Sequence, residues 1–469
     1  MRAVRPHLAL LAALSFTPVA CFNHVEVAVS VTAPDGGDPF RGPDAATQVR
    51  VLVENGAGGP QVASVSPNGA FSVSLDLETI TAPARLLIEA LSGGTVIGSG
   101  ATPPVIWSQL GTGIVPVFVQ RRDSLVPAAP GLTLGVQRTA PQIVVLRAPF
   151  VAVIGGAESP TPIDVLDLFS LGRSDNPTVL ASPFTGALQA ISLDGVRVLI
   201  LKGCMTTLWN TATNAFDSSA ANVPAPPSAR CALSGSTVVP DPNGGAYLVG
   251  GTVMGTGAPS PRVDRVLPSG QWVEGVPMVA ARAAPSAIVL RERELLIAGG
   301  QTDASAPAIE RYALDGAVPM DRRAQRTGNA DVDARVGAAL VRVGGGVAYL
   351  LGGARLGSME PAAEDAVLEL ACLDQNCPLI ASTAPLFTVR RRDALAALAE
   401  GEQVVIASGT NASGVTEAVE RIDATAPRAP VAAGTVGSLG AAGLAMARIH
   451  TGSVMIAGGG LRDVWMFRH

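Results

Sequence analysis

The stretch Arg282-Ala-Ala-Pro-Ser-Ala-Ile-Val-Leu-Arg-Glu-Arg-Glu-Leu-Leu-Ile-Ala-Gly299-Gly300 decides the fold, because the chain repeats it. It reads as an apolar strand, a tight polar turn, a second apolar strand and a glycine pair. Aligned on the second glycine, copies fall at Gly156, Gly203, Gly251, Gly300, Gly353, Gly409 and Gly459, at steps of 47, 48, 49, 53, 56 and 50 residues. A period near fifty with β-type patterning predicts a propeller rather than a leucine-rich or helical solenoid.

The run before each glycine is short and apolar: Phe150 to Ile154, Val196 to Leu201, Ala246 to Val249, Leu295 to Ala298, Val347 to Leu351, Val404 to Ala407 and Val454 to Ala457. Such runs fit strands buried on both faces. Turn residues precede them, as in Asp194-Gly195, Asn243-Gly244-Gly245 and Thr451-Gly452, where glycine and Asn/Asp supply the positive φ of hairpins. Upstream lies a first strand, as at Gln142 to Leu146, Ala287 to Leu290 and Ala338 to Val343. The helix-favouring run Arg392 to Glu400 occupies that same place and is therefore read as strand.

An arginine stands eighteen residues before the second glycine in four copies (Arg138, Arg282, Arg335, Arg391), and Arg230 stands twenty-one before. Recurrence at one offset assigns these arginines a structural role. After the glycines an acidic residue sits among apolar ones, in Val263-Asp264-Arg265-Val266, Ile309-Glu310-Arg311-Tyr312, Val419-Glu420-Arg421-Ile422 and Arg462-Asp463-Val464-Trp465. This is the third strand.

The apolar run ending in the pairs Gly155-Gly156, Gly250-Gly251, Gly299-Gly300, Gly352-Gly353 and Gly458-Gly459, followed by Trp209, Trp272 or Trp465, resembles the kelch repeat of galactose-oxidase-like β-propellers. The second and sixth copies depart, reading Lys202-Gly203 and Ser408-Gly409. The resemblance implies an all-β propeller over 132–469, with seven blades. The last copy ends after its third strand, and Leu132 to Val136 is the stretch expected to complete its sheet and remove an open edge.

Residues 1–20 read as a signal peptide: a basic start, Met1 to His7, then the apolar stretch Leu8 to Ala20, too short to span a bilayer. Cys21 follows Val19-Ala20 and resembles the acylated cysteine of a bacterial lipoprotein, although Pro18 departs from that pattern. The expectation is an exported chain held by lipid at the outer membrane or cell surface, with free secretion as the alternative. Residues 21–122 lack the glycine period. Short alternating runs (Val25 to Val31, Gln48 to Val53, Phe71 to Leu77, Arg85 to Leu91, Thr95 to Gly98, Ile114 to Val119) predict a β-sandwich, and Pro67 to Leu75 resembles Ig-like or transthyretin-like modules. Residues 123–131, with Pro127 and Pro130, read as a linker.

The 469 residues, 48% of them apolar and 15% charged, suffice for two cores. A net charge of −5 with no strong block of either sign argues against nucleic acid. Setting Cys21 aside leaves Cys204, Cys231, Cys372 and Cys377, an even number that predicts disulfides in an exported protein. Copper chemistry of the galactose oxidase kind calls for histidine and tyrosine ligands, and the repeats contain only His450 and His469. No Gly-x-Ser-x-Gly elbow, clustered metal ligands or Asp-box repeats occur. The sequence thus predicts a monomeric, non-catalytic scaffold without cofactor, binding an envelope protein or glycan through the propeller. The rival reading is a carbohydrate-active enzyme with its site in the funnel.

Overall fold

The computed structural model describes residues 27–469 except 35, 55–58, 67–70, 72, 74, 76–79, 111–112, 158–162, 175–178, 181–183, 185–187, 218–222, 224, 232, 291–293, 301–306, 315–321, 328–329, 334, 345, 359, 363, 371–378, 394, 401, 426–429 and 437–442. The signal stretch, Cys21, Cys372 and Cys377 lie outside the described residues. The architecture is all-β and propeller-like.

Among the described residues, the glycine-pair region folds into seven four-stranded antiparallel sheets. Their first strands are Gln142–Val145, Gln189–Ser192, Thr237–Pro240, Ser286–Leu290, Arg335–Arg342, Leu395–Leu398 and Leu444–Arg448, each at one edge of its sheet. These edge strands touch their neighbours in sequence, and the one in the last sheet touches the one in the first. They thereby form a closed ring.

The second strands explain the unbroken apolar runs. Leu295 and Ile297 point into the core shared with the preceding sheet, while Leu296 and Ala298 fill the core shared with the next. Both faces of a strand are therefore buried, and each such aliphatic side chain is worth roughly 1.5–3 kcal/mol. Leu395–Leu398 is a strand despite its helical propensity, since its register places it opposite Val404–Ala407.

The last sheet is completed from the other end of the chain, by Ser124–Pro127 pairing with Val464–Arg468. This corrects two expectations. Residues 124–127 belong to a sheet rather than a linker, and Leu132 to Val136 does not close the ring. Leu125 and Val126 are buried in the completed sheet. Leu132 and Leu134 instead fill the core between the last and first sheets.

The amino-terminal region forms one mixed sheet with strand order Val27–Thr32, Gly113–Arg121, Thr95–Ala101, Leu86–Ser92, Gln48–Val53 and Gln61–Ser64. No second sheet faces it among the described residues, and the expected strand Phe71 to Leu77 lies partly outside them. The sheet's apolar face (Val49, Val51, Leu86, Ile88, Val115, Val117) is covered by Trp107, Phe40, Phe71, Val73 and Leu75. The Trp107 indole donates to the Ala84 carbonyl at 2.9 Å, and Phe169 from the first propeller sheet packs beside it. Arg85 ties the layers together, reaching Glu54 and Glu400 at 2.6 Å each. The strand Gly113–Arg121 passes straight into the closing strand through Arg122 and Asp123, the latter at φ 61°.

Candidate functional site

The two ends of the propeller-like body are built from different chemistry. At the end bearing the glycine pairs, the recurring arginines are buried and engaged by acids and carbonyls. Arg138 pairs with Asp164 at 2.7 Å, Arg282 with Glu310 at 3.2 Å and Arg391 with Glu420 at 2.7 Å, while Arg230 pairs with Asp264. In each case the acid is the one on the third strand of the arginine's own sheet. The same guanidinium donates to the first residue of the glycine pair: Arg138 to the Gly155 carbonyl, Arg230 to Gly250, Arg282 to Gly299 and Arg391 to Ser408. Arg335 varies the theme, donating to the carbonyls of Leu350 and Glu364.

The second glycine then stitches sheet to sheet. Its N–H donates to the carbonyl of the next sheet's arginine, Gly251 to Arg282 at 3.1 Å, Gly300 to Arg335 at 3.2 Å and Gly353 to Arg391 at 2.8 Å. A side chain has no place here: a Cβ on Gly299 would stand 2.9 Å from the Arg335 carbonyl, and one on Gly352 would stand 2.5 Å from that of Arg391. Ser408 takes the same left-handed conformation at φ 62°. Gly203 departs further, although the Gly459 copy also lacks a repeat arginine. The Gly203 sheet has no repeat arginine, and a Cβ at Gly203 would meet only ordinary contacts.

The acids complete the lattice. Glu310 accepts the N–H groups of Val279 and Ala280, Glu420 those of Thr388 and Val389, and Asp365 those of Gly352, Leu386 and Phe387. Burial nevertheless holds the Asp365 carboxyl above the usual range, and it lowers the pKa of Arg282 and Arg391. Such groups are committed to the fold.

The opposite end carries the hairpin turns between first and second strands. Here a shallow depression of ≈ 400 Å³, largely open to solvent, is lined by Val238, Pro240, Asp241, Ala287, Val289 and Arg342, among others. All lie on or beside the first strands of the third, fourth and fifth sheets. Asp241 is neutralised by Arg265 at 2.6 Å, and the Arg265 guanidinium lies over the Tyr247 ring, 5.4 Å from its centroid. Arg342 is half-buried at the end of its strand, and among the described residues its guanidinium makes no ion pair or hydrogen bond. In the sequence this place shows only as a basic residue closing an otherwise apolar strand.

The remaining candidate residues serve other ends. Cys204, in an exposed turn, and Cys231, at the end of the short helix Ser228–Cys231, are free thiols in the structure. The disulfide expected of them is thus not formed there, and they meet through a side-chain hydrogen bond. Burial first, and that bond second, push the Cys231 thiol up to about 11. His450 holds the Leu146 carbonyl at 2.7 Å, and His469 sits 2.6 Å from Asp123 and against Arg122. Tyr349 donates to the Ala424 carbonyl at 2.9 Å.

No family model matches the sequence, and a search of curated proteins finds no match. Solved structures do match. A fungal alcohol oxidase of the AA5 family, in complex with copper, is similar at 12% identity, with 73% of this chain and 75% of that one covered and a TM-score of 0.51. A streptogramin B lyase is similar at 13% identity over 73% of this chain and 96% of that one, with a TM-score of 0.46 too low to build on.

The oxidase likeness supports a galactose-oxidase-like propeller fold and overturns the expectation that the chain is not an enzyme. An oxidase has been built on a fold of this kind, so missing motifs do not exclude catalysis. At this identity the likeness shows the fold alone. The residues present do not fit a copper centre. His450 and His469 are bonded to separate partners, the tyrosines are buried between sheets, and no group of three His, Cys, Asp or Glu among the described residues could hold a metal ion.

Proposed function

We propose that the seven sheets are the blades of a kelch-type propeller, and that the chain is an exported, lipid-anchored envelope protein binding a protein or glycan through the channel mouth. The observation that carries this reading is the division of labour between the two ends. The charged groups that recur with the glycine pairs are consumed by buried pairs and carbonyls. The hairpin end carries an open depression of ≈ 400 Å³ with a cation at its wall that has no partner among the described residues. Concave sites with few polar groups are where recognition concentrates. The basic leader and Cys21 support export and anchoring. Among the described residues no helix is long and apolar enough to cross a membrane.

A crosslinking pull-down from native membranes tests the binding role, with the chain from Cys21 onward as bait and its Ala287→Trp variant, which fills the cavity, as control. One envelope protein or glycan recovered by the first and lost with the second supports the reading. Equal recovery by both, or nothing above background, removes it.

A further inference from the structure

We propose that the channel cavity binds a small organic anion, a carboxylate or phosphate carrying an apolar body, with Arg342 as the group that receives the charge. This rests on the reading of the channel mouth as the binding site and adds the ligand's chemistry to it.

Three observations fix that chemistry. The first is the wall. Val238, Pro240, Ala287, Ile288 and Val289 present aliphatic surface, and Ala287 and Val289 carry no polar atom beyond the backbone. An apolar body is favoured there by the surface it removes from water. The second is the charge balance. Among the described residues two ionisable side chains line the site, and only one is compensated: Asp241 is held by Arg265 at 2.6 Å, whereas Arg342 has no partner among them. A cation at the edge of an apolar wall attracts an anion more strongly than the same group in open water. Its planar fork matches the oxygens of a carboxylate or phosphate. The third is the backbone. The strands Thr237–Pro240 and Ser286–Leu290 are edge strands, so the channel side of each lacks a ladder partner. Their free N–H groups add donors for an anion's oxygens.

Volume sets the size. The site is a shallow depression of ≈ 400 Å³ open to solvent, so it suits a short acyl chain or an aromatic acid laid against its wall, or the terminal acidic group of a longer ligand. Arg342 lies on the side of its strand that holds Ala338 and Leu340, facing the fourth sheet and the cavity wall at Ile288. That direction places the cation beside the ligand's path.

The test is a calorimetric titration of the chain from Cys21 onward with octanoate and, separately, with octan-1-ol, which shares the apolar body without the charge. The chain should bind octanoate more tightly than the alcohol. Arg342→Gln should weaken octanoate about tenfold, the scale of one charge-assisted hydrogen bond, while leaving octanol unchanged. Arg342→Lys should restore most of the loss. Because Arg342 bonds to no described residue, these variants should keep the wild-type melting temperature, which is measured alongside. Val289→Trp should abolish both ligands. Equal binding of octanoate by the wild type and Arg342→Gln, or no binding by the wild type, overturns the proposal. Its failure is separable from that of the parent reading, because the pull-down can still recover a partner sensitive to Ala287→Trp.

Discussion

Replacing Arg282 by methionine probes the lattice where it is most buried. Arg282 and Glu310 are both 0% exposed. The guanidinium donates to the carbonyls of Gly299 and Pro307 at 2.6 Å each and to Glu310 at 3.2 Å. Methionine matches much of the volume but supplies no donor, leaving a carboxylate inside the protein with only the Val279 and Ala280 N–H groups against it. Breaking one partner of a buried pair costs about 3–5 kcal/mol. Glu310→Gln, which keeps an acceptor for those N–H groups, should cost about 1.5–3 kcal/mol. The double variant should lose less than the sum, because the second change removes the charge that the first left stranded. Urea unfolding measures all three as midpoint shifts at unchanged slope. If Arg282→Met falls within about 0.5 kcal/mol of wild type, as a surface change does, the arginines do not hold the sheets together.

Other consequences are equally concrete. Gly300 lies at φ +69° with an added Cβ only 2.8 Å from the Ala283 carbonyl, so Gly300→Ala should destabilise by about 1–3 kcal/mol or more. Gly255→Ala, at φ +88° with nothing within 4 Å, should cost less in the same melting assay. Burial holds the His450 imidazole below its ordinary 6.5. The folded state therefore binds fewer protons than the unfolded one between the depressed value and 6.5, and stability falls as pH falls through that window. His450→Gln, which can still donate to Leu146, should flatten that dependence in melting curves taken from pH 7.5 downward. Cys21→Ser should release the protein from membranes on fractionation, and a variant that stays bound defeats the lipid-anchor reading.

Much of the fold was legible because the repeat carries its own punctuation. Apolar runs such as Phe150–Ile154 and Ala246–Val249 coincide with strands, since residues buried on both faces leave an unbroken signal bounded by turn residues. The arginine offset and the acidic third-strand position were each visible. Their pairing was not, because partners stand 26 to 34 residues apart and meet only when the sheet forms. The closing strand was hidden by composition. Ser124–Pro127 ends in proline, which reads as linker, yet an edge strand tolerates proline where no ladder bond is needed. The amino-terminal runs suggested two layers because alternation shows that one face is covered without saying by what. Among the described residues Trp107, Phe71 and Phe169 supply part of that cover. The channel wall was the least legible part, since nothing in Ser286–Leu290 tells which edge lies open.

Site-specific photo-crosslinking on native membranes tests the binding account most directly. A photoreactive residue is placed at Val289, on the cavity wall, or at Ser413, exposed beyond the sixth sheet's glycine turn. A discrete adduct at 289 and none at 413 is the expected result. An adduct confined to 413 would put recognition at the glycine-pair end, and none at either position would contradict binding through the channel mouth.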